Sequence, residues 1–142
     1  MRLTQCLFPL IIFASVLNGA EINTLKSAVE NAKDEGKFIY LSFVGSDWSV
    51  ASKKWSEEIL DSSAFKSFAE ENLVLLELDA RRKPPLKKLE RAELQAMVIE
   101  FDIKTYPTFI LLSSNGLELH RHGYLEVSAE EYTNALGTLI SE

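Results

Sequence analysis

The sequence has almost no cysteine. Cys6 is the only one among 142 residues, and it lies within the first twenty. If this segment is removed on export, the remaining chain can form no disulfide, no thiolate nucleophile and no cysteine metal site. Thiol chemistry is therefore excluded for residues 21–142 with the sequence as it stands.

The sequence also lacks an excess of positive charge. It carries 15 lysines and arginines against 21 acidic residues, a formal net charge of −6. A nucleic-acid binder needs a basic face, and a polybasic membrane anchor needs clustered cations. Neither nucleic acid nor a membrane surface is a predicted partner. A hydrophobic fraction of 46% and this length are typical of one globular domain.

No apolar run is long enough to cross a membrane. The longest, at residues 7–17, is shorter than the roughly 20 residues that a spanning helix needs. Because Arg2 precedes it and small residues follow it, we predict a signal peptide at residues 1–20, cleaved after Ala20. An uncleaved anchor or a buried helix are the alternatives. Residues 21–142 would then form one domain in the periplasm or outside the cell, free of the membrane after cleavage.

The remaining sequence alternates between helix and strand patterns. The apolar run 38–44 is typical of a central strand covered on both faces, and Ser46 or Asp47 is placed to cap the next helix. The predicted elements are helix 22–35, strand 38–44, helix 49–59, a further turn or two of helix after 61–63, buried strand 73–79, helix 86–100 with Leu86, Leu89, Leu94, Met97 and Val98 inward, strand 109–112, strand 117–124 and a last helix beginning at the capping box Ser128–Glu131. The α-β-α-β-α-β-β-α order predicts an α/β fold with a mixed four-stranded sheet flanked by helices.

Several stretches of this sequence resemble the thioredoxin superfamily. More narrowly, they are similar to exported bacterial thioredoxin-like proteins with a Gly-Ser-Asp-Trp-Cys-x-x-Cys-Lys-Lys signature. The matching stretches are Gly45-Ser46-Asp47-Trp48, Lys53-Lys54, Phe65, Phe68-Ala69, Leu73-Val74-Leu75, Leu78-Asp79, Tyr106-Pro107-Thr108, Asn115-Gly116 and Arg121-His122-Gly123-Tyr124. The resemblance covers nearly all of residues 21–142 and implies a thioredoxin-like fold.

The resemblance implies a binding site and a loss of chemistry. It implies a cis bond between Tyr106 and Pro107, with Trp48 and Tyr106 as neighbours on one surface. Ser49 and Ser52 occupy the two cysteine positions. A helix N-terminus lowers the pKa of a thiol, but a serine hydroxyl stays un-ionised there and has no accessible disulfide state. The acid that many family members bury near the pair is also absent from the preceding strand.

Other interpretations of the polar residues are less favoured. A hydrolytic Ser49 or Ser52 needs a base within reach, whereas His120 and His122 lie on a remote edge strand, so Ser49 is favoured as a helix N-cap. The two histidines share a strand face with too few ligands for a metal, and we interpret that face as solvated. No metal or other cofactor is predicted. The basic stretch 81–83 is either a solvated loop or a contact for an acidic partner.

The predicted function is a redox-inactive thioredoxin-like module that binds an exported protein or peptide. Its candidate binding residues are Trp48, Ser49, Tyr106 and Pro107, and Trp55 is assigned to the core. The alternative is a periplasmic thiol–disulfide reductase or isomerase, which holds if serines were introduced in place of a natural cysteine pair. A third hypothesis is an assembly subunit, which predicts a stable oligomer. The oligomeric state stays open.

Overall fold

The structure is a computed structural model and describes residues 25–142, so the signal-peptide prediction lies outside the described residues. Its elements are α1 (Leu25–Glu35), β1 (Phe38–Val44), α2 (Val50–Trp55), a π-helical segment (Ser56–Leu60), α3 (Ser63–Asn72), β2 (Leu73–Asp79), α4 (Lys88–Glu100), β3 (Thr108–Leu112), β4 (Glu118–His122) and α5 (Ala129–Ser141). Within residues 25–142, no helix has the length and apolar character that crossing a membrane requires.

The four strands form one mixed sheet in the order β2-β1-β3-β4. β1 pairs parallel with β2 and antiparallel with β3, and β4 pairs antiparallel with β3. β1 is therefore central, and every residue of it except Phe38 is buried. This confirms the predicted mixed four-stranded sheet and the interpretation of 38–44 as a strand covered on both faces.

Apolar side chains cover the sheet on both faces, which gives three layers. On one face, α1 and α4 contribute Ala28, Ala32 and Met97 against Leu41, Phe43 and Ile110. On the other, α2, the π-helical segment, α3 and α5 contribute Trp55, Ile59, Phe65, Tyr132 and Leu136 against Tyr40, Val44, Phe109 and Leu111. Trp55 is fully buried at the centre of the second cluster, as predicted.

The helix starts follow local capping chemistry, with one correction. Ser49, rather than Ser46 or Asp47, is the N-cap of α2, because its side chain accepts the backbone N–H of Ser52. Ser62 caps α3 in the same way, and α3 has ten residues, longer than the predicted turn or two. The predicted helix 49–59 is split, since α2 ends at Trp55 and a π-helical turn follows.

Two burial predictions are wrong at the margins of the fold. Leu89 was placed inward but is 83% exposed, because α4 begins only at Lys88 and its first turn extends beyond the core. Strand 73–79 was interpreted as buried, yet Leu75 and Glu77 are exposed. β2 is an outer strand of the described sheet, and the helices packed on the sheet leave part of this strand uncovered.

Candidate functional site

The turn between β1 and α2 is tied to the loop that follows β2. Ser46 donates to Asp79 twice, from its backbone nitrogen at 3.0 Å and from its hydroxyl at 2.5 Å. Asp47 accepts the backbone N–H groups of Arg82 at 3.0 Å and Lys83 at 2.7 Å. These bonds to Arg82, then Lys83, lower the pKa of the Asp47 carboxyl. Ser46 and Asp47 therefore anchor this loop instead of capping a helix.

Trp48 is fixed on three sides at the end of this turn. Its indole Nε1 donates to the Ala80 carbonyl at 2.8 Å, and the Arg82 guanidinium lies 5.0 Å from the ring centre. The ring also covers Gly45, where a Cβ would come within 2.3 Å of the indole. Only glycine leaves room for this approach. The side chain remains 36% exposed, which leaves an ordered aromatic surface for contact.

Tyr106 contacts Trp48 from the segment before β3. The two rings meet edge to face, with centroids 5.6 Å apart at 68°. The peptide bond between Tyr106 and Pro107 is cis, and a second cis bond joins Lys83 to Pro84. Ser49 follows Trp48 and Pro107 follows Tyr106, so each predicted binding residue is within one position of this aromatic pair. We call the predicted site at Trp48, Ser49, Tyr106 and Pro107 the Trp48 groove. Trp48 and Tyr106 are partly exposed there, whereas Ser49 and Pro107 are buried beneath them in sequence-adjacent positions.

Both serines at the start of α2 are buried and hydrogen-bonded. Ser49 Oγ accepts the backbone N–H of Ser52 at 3.1 Å, and Ser52 Oγ accepts that of Gly45 at 3.1 Å. Ser49 is 7% and Ser52 3% exposed. The two hydroxyls therefore stabilise the helix start and the turn before it, as expected for an N-cap.

The structure places an acidic residue near Ser52 that the sequence pattern did not indicate. Glu77 of β2 is in register with Ser42 of β1, and it lines a cavity of about 270 Å³ together with Ser46 and Ser52. Glu77 is exposed as a whole residue, but partial burial of its carboxyl raises the pKa of Glu77, and the nearby carboxylates of Asp79 and Asp61 raise it further. The sequence-based prediction considered only the strand before Trp48, whereas the register of the parallel pair brings Glu77 there from β2.

The solvated-face interpretation is wrong for His122. Its ring lies 5.4 Å from the rings of Trp55 and Phe109, its Nδ1 is 2.6 Å from the Gly123 carbonyl, and its Nε2 is 2.7 Å from the Tyr132 hydroxyl. The pKa of His122 is lowered because burial disfavours the charged ring. The α5 residue Tyr132 covers this strand face, which the sequence pattern does not reveal.

In the described chain, neither Ser49 nor Ser52 is hydrogen-bonded to a histidine. The Ser49 and Ser52 hydroxyls contact backbone nitrogens, and both nitrogens of His122 already have partners. His120 is exposed with its ring 5.7 Å from that of His122. Among residues 25–142, no three His, Cys, Asp or Glu side chains are grouped so that they could hold a metal ion.

Two known proteins of Chlamydia pneumoniae are similar to this chain in sequence. The disulfide bond reductase DsbH of Chlamydia pneumoniae is 32% identical over 97 residues, which are 68% of this chain and 58% of that protein. The thioredoxin-related protein DsbJ of the same organism is 28% identical over 98 residues, 69% of this chain and 28% of that protein. The chain thus spans less than two thirds of either relative.

Solved structures agree with this similarity. A DsbH oxidoreductase superposes with a TM-score of 0.77 at 27% identity, covering 83% of this chain and 82% of its own. A thioredoxin from Thermus thermophilus superposes with a TM-score of 0.61 at 15% identity, covering 82% and 84%, and shows the fold alone. A model of the thioredoxin-like domain family matches residues 25–140. Since that match spans nearly all described residues, the chain belongs to the family of thioredoxin-like domains.

Proposed function

We propose that this chain is a redox-inactive thioredoxin-like protein of the periplasm that binds exported peptides or proteins through the Trp48 groove. The observation that carries the proposal lies at Ser49 and Ser52. At the two positions where the resemblance implies thiols, buried hydroxyls accept backbone N–H groups. A hydroxyl does not take part in thiol–disulfide exchange, because it lacks both the accessible anion and the disulfide state.

The groove keeps the features of a contact surface although the sulfur chemistry is absent. Trp48 and Tyr106 present two aromatic rings in edge-to-face contact, and the Trp48 ring is held by the Ala80 carbonyl and by Arg82. Tryptophan and tyrosine carry much of the binding energy in protein interfaces, since they bury large rigid areas at low entropic cost. Retention of this ordered surface supports binding as the function.

The test is binding of a reduced, unfolded exported protein to the purified chain. We expect the Trp48→Ala/Tyr106→Ala double variant to bind at least about thirtyfold more weakly, as for two truncated interface anchors. The matched control is Leu117→Ala/Leu119→Ala, which truncates two exposed apolar side chains on the β3–β4 hairpin. Circular dichroism checks that both variants fold. Equal affinity of the groove variant and the control would remove the assignment to the Trp48 groove.

The second candidate is a thiol–disulfide reductase or isomerase, and the name of the relative DsbH favours it. It holds if serines were introduced at positions 49 and 52 in place of a natural cysteine pair. We expect the Ser49→Cys/Ser52→Cys variant to reduce insulin in the presence of a thiol reductant, while the unmodified chain matches buffer. Insulin reduction by the unmodified chain would overturn the redox-inactive proposal.

The proposal includes export of the protein by a signal peptide at residues 1–20. The pattern at Arg2 and the following apolar run supports a signal peptide cleaved after Ala20. We expect N-terminal sequencing of the mature protein from the exported fraction to begin at Glu21. Retention of the protein with Arg2 intact would contradict cleavage.

A further inference from the structure

The Trp48 groove continues into an apolar cavity along α4. The cavity has a volume of about 390 Å³ and is lined by Leu94, Gln95, Val98, Ile99 and Tyr106. Tyr106 belongs to both surfaces, since one edge of its ring meets Trp48. Ile99 is 80% exposed, which is a large apolar side chain left in solvent beside the groove. The cavity is wide enough for one apolar side chain of a bound segment.

A basic loop also contacts the groove, at Trp48. Residues 81–88 contain five cations and no acid, in a chain whose net charge is −6. Arg81 pairs with Glu90 at 3.2 Å, whereas the guanidinium of Arg82 lies over the Trp48 ring. The Asp47 carboxylate binds the backbone N–H groups of Arg82 and Lys83. Asp47 and Glu90 offset part of this charge, but the loop keeps a net positive charge, and Arg82 carries part of it to Trp48.

We infer that the segment bound in the Trp48 groove carries an apolar side chain flanked by carboxylates. The apolar side chain fits the α4 cavity beside Tyr106, and the carboxylates face Arg82 and Lys83. Charge complementarity selects against a basic segment, since like charges at an interface disfavour the complex. A long polyanion such as nucleic acid is also disfavoured, because beyond this loop the chain is acidic. This inference rests on the proposed function and specifies the partner's chemistry.

The first test compares four fluorescein-labelled peptides of equal length by anisotropy. Three carry one leucine flanked by glutamate, by glutamine or by lysine, and the fourth keeps the glutamates but replaces leucine with serine. We expect affinity to fall about threefold from glutamate to glutamine and again to lysine, as for partly exposed ion pairs. Loss of the leucine should weaken binding about tenfold through the lost apolar burial.

The second test changes the basic loop and the α4 cavity separately. Arg82→Glu and Lys83→Glu should each reduce or reverse the preference for glutamate over lysine. Lys66→Glu is the matched control, because Lys66 is an exposed cation on α3 in the opposite helix layer. Ile99→Ser should weaken every leucine peptide while leaving the charge preference unchanged. The charge preference of the unmodified chain should also shrink in 1 M salt.

The outcomes separate this inference from the proposed function. Binding that needs Trp48 and Tyr106 but is equal for the glutamate and lysine peptides overturns the inferred chemistry and leaves the binding function in place. The inferred chemistry is also overturned if Arg82→Glu, Lys83→Glu and Lys66→Glu change the preference for the glutamate peptide over the lysine peptide to the same extent. If none of the four peptides and no unfolded protein binds, the proposed function fails and this inference fails with it.

Discussion

Removing the Tyr132 hydroxyl tests whether the buried hydrogen-bond chain at Tyr132 stabilises the fold. This hydroxyl is 2.8 Å from the Tyr40 hydroxyl and 2.7 Å from His122 Nε2. Because a carbonyl only accepts, the 2.6 Å contact with Gly123 places the proton of His122 on Nδ1. Nε2 of the neutral ring therefore accepts from Tyr132, and Tyr132 accepts from Tyr40. Tyr132→Phe breaks both bonds and keeps the ring.

The expected loss of stability follows from the two buried groups that lose their hydrogen-bond partner. The Tyr40 hydroxyl and His122 Nε2 lose their shared partner inside the cluster, and each unsatisfied buried group costs about 1–3 kcal/mol. We expect Tyr132→Phe to lower the free energy of unfolding by about 2–4 kcal/mol. For a domain of this size the midpoint of thermal unfolding should fall by roughly 8–15 °C. Tyr40→Phe/Tyr132→Phe should cost less than the sum of its two single changes, because the double variant no longer leaves a hydroxyl at position 40 without a partner.

Urea unfolding measures these changes in the free energy of unfolding. The pH is 7.5, because His122 is neutral there. The midpoints and slopes of the single and double variants give the coupling energy between Tyr40 and Tyr132. Tyr106→Phe is the control, because its ring is partly exposed at the groove, and we expect a change under about 0.5 kcal/mol. Strict additivity of the two core changes, or equal costs for Tyr132→Phe and Tyr106→Phe, would refute the reasoning.

Two further predictions concern protons and packing. The pKa of His122 is lowered in the folded protein, so its contribution to stability is complete above about pH 6.5 and is lost as the pH falls through the folded value. Urea midpoints at pH 7.5 and 5.5 should show a drop that His122→Gln reduces more than His120→Gln does, because burial is the larger cause of the shift and the charge of His120 a smaller one. An unchanged drop in His122→Gln would contradict the assignment. Gly45→Ala forces a Cβ into the Trp48 ring and should lower stability by about 1–3 kcal/mol and weaken peptide binding, whereas Gly137→Ala meets only an ordinary contact at 3.8 Å and should be neutral or stabilising. Indole fluorescence and binding titrations would show both effects, and equal behaviour of the two variants would exclude the steric argument.

The sequence was sufficient where neighbouring residues carry the signal. An almost unbroken apolar run at residues 38–44 predicts cover on both faces, and the structure buries all of it except Phe38 in the centre of the sheet. Capping chemistry located the start of α5 at Ser128. The neighbouring positions of Trp48 and Tyr106 came from the resemblance to thioredoxins, and the edge-to-face contact confirms them.

The sequence pattern did not predict contacts between distant parts of the chain. Asp47 was expected to cap a helix, but its carboxylate binds backbone groups 35 and 36 residues away. Glu77 reaches the cavity behind Ser52 through strand register. The strand pattern placed His122 on an edge face, whereas Tyr132 of α5 covers it.

Helix and strand periods and caps are local properties, so the sequence by itself determined the α/β order of the elements, and the resemblance of its motifs indicated the thioredoxin-like fold. The sequence also determined the absence of thiols from residues 21–142. The charge at the groove was decided by tertiary structure. Arg82 lies 34 positions after Trp48, and its guanidinium reaches the indole because Asp47 binds the backbone of Arg82 and Lys83 and Trp48 donates to the Ala80 carbonyl. Such contacts depend on register and packing across the whole sheet, for which a linear sequence pattern carries no signal.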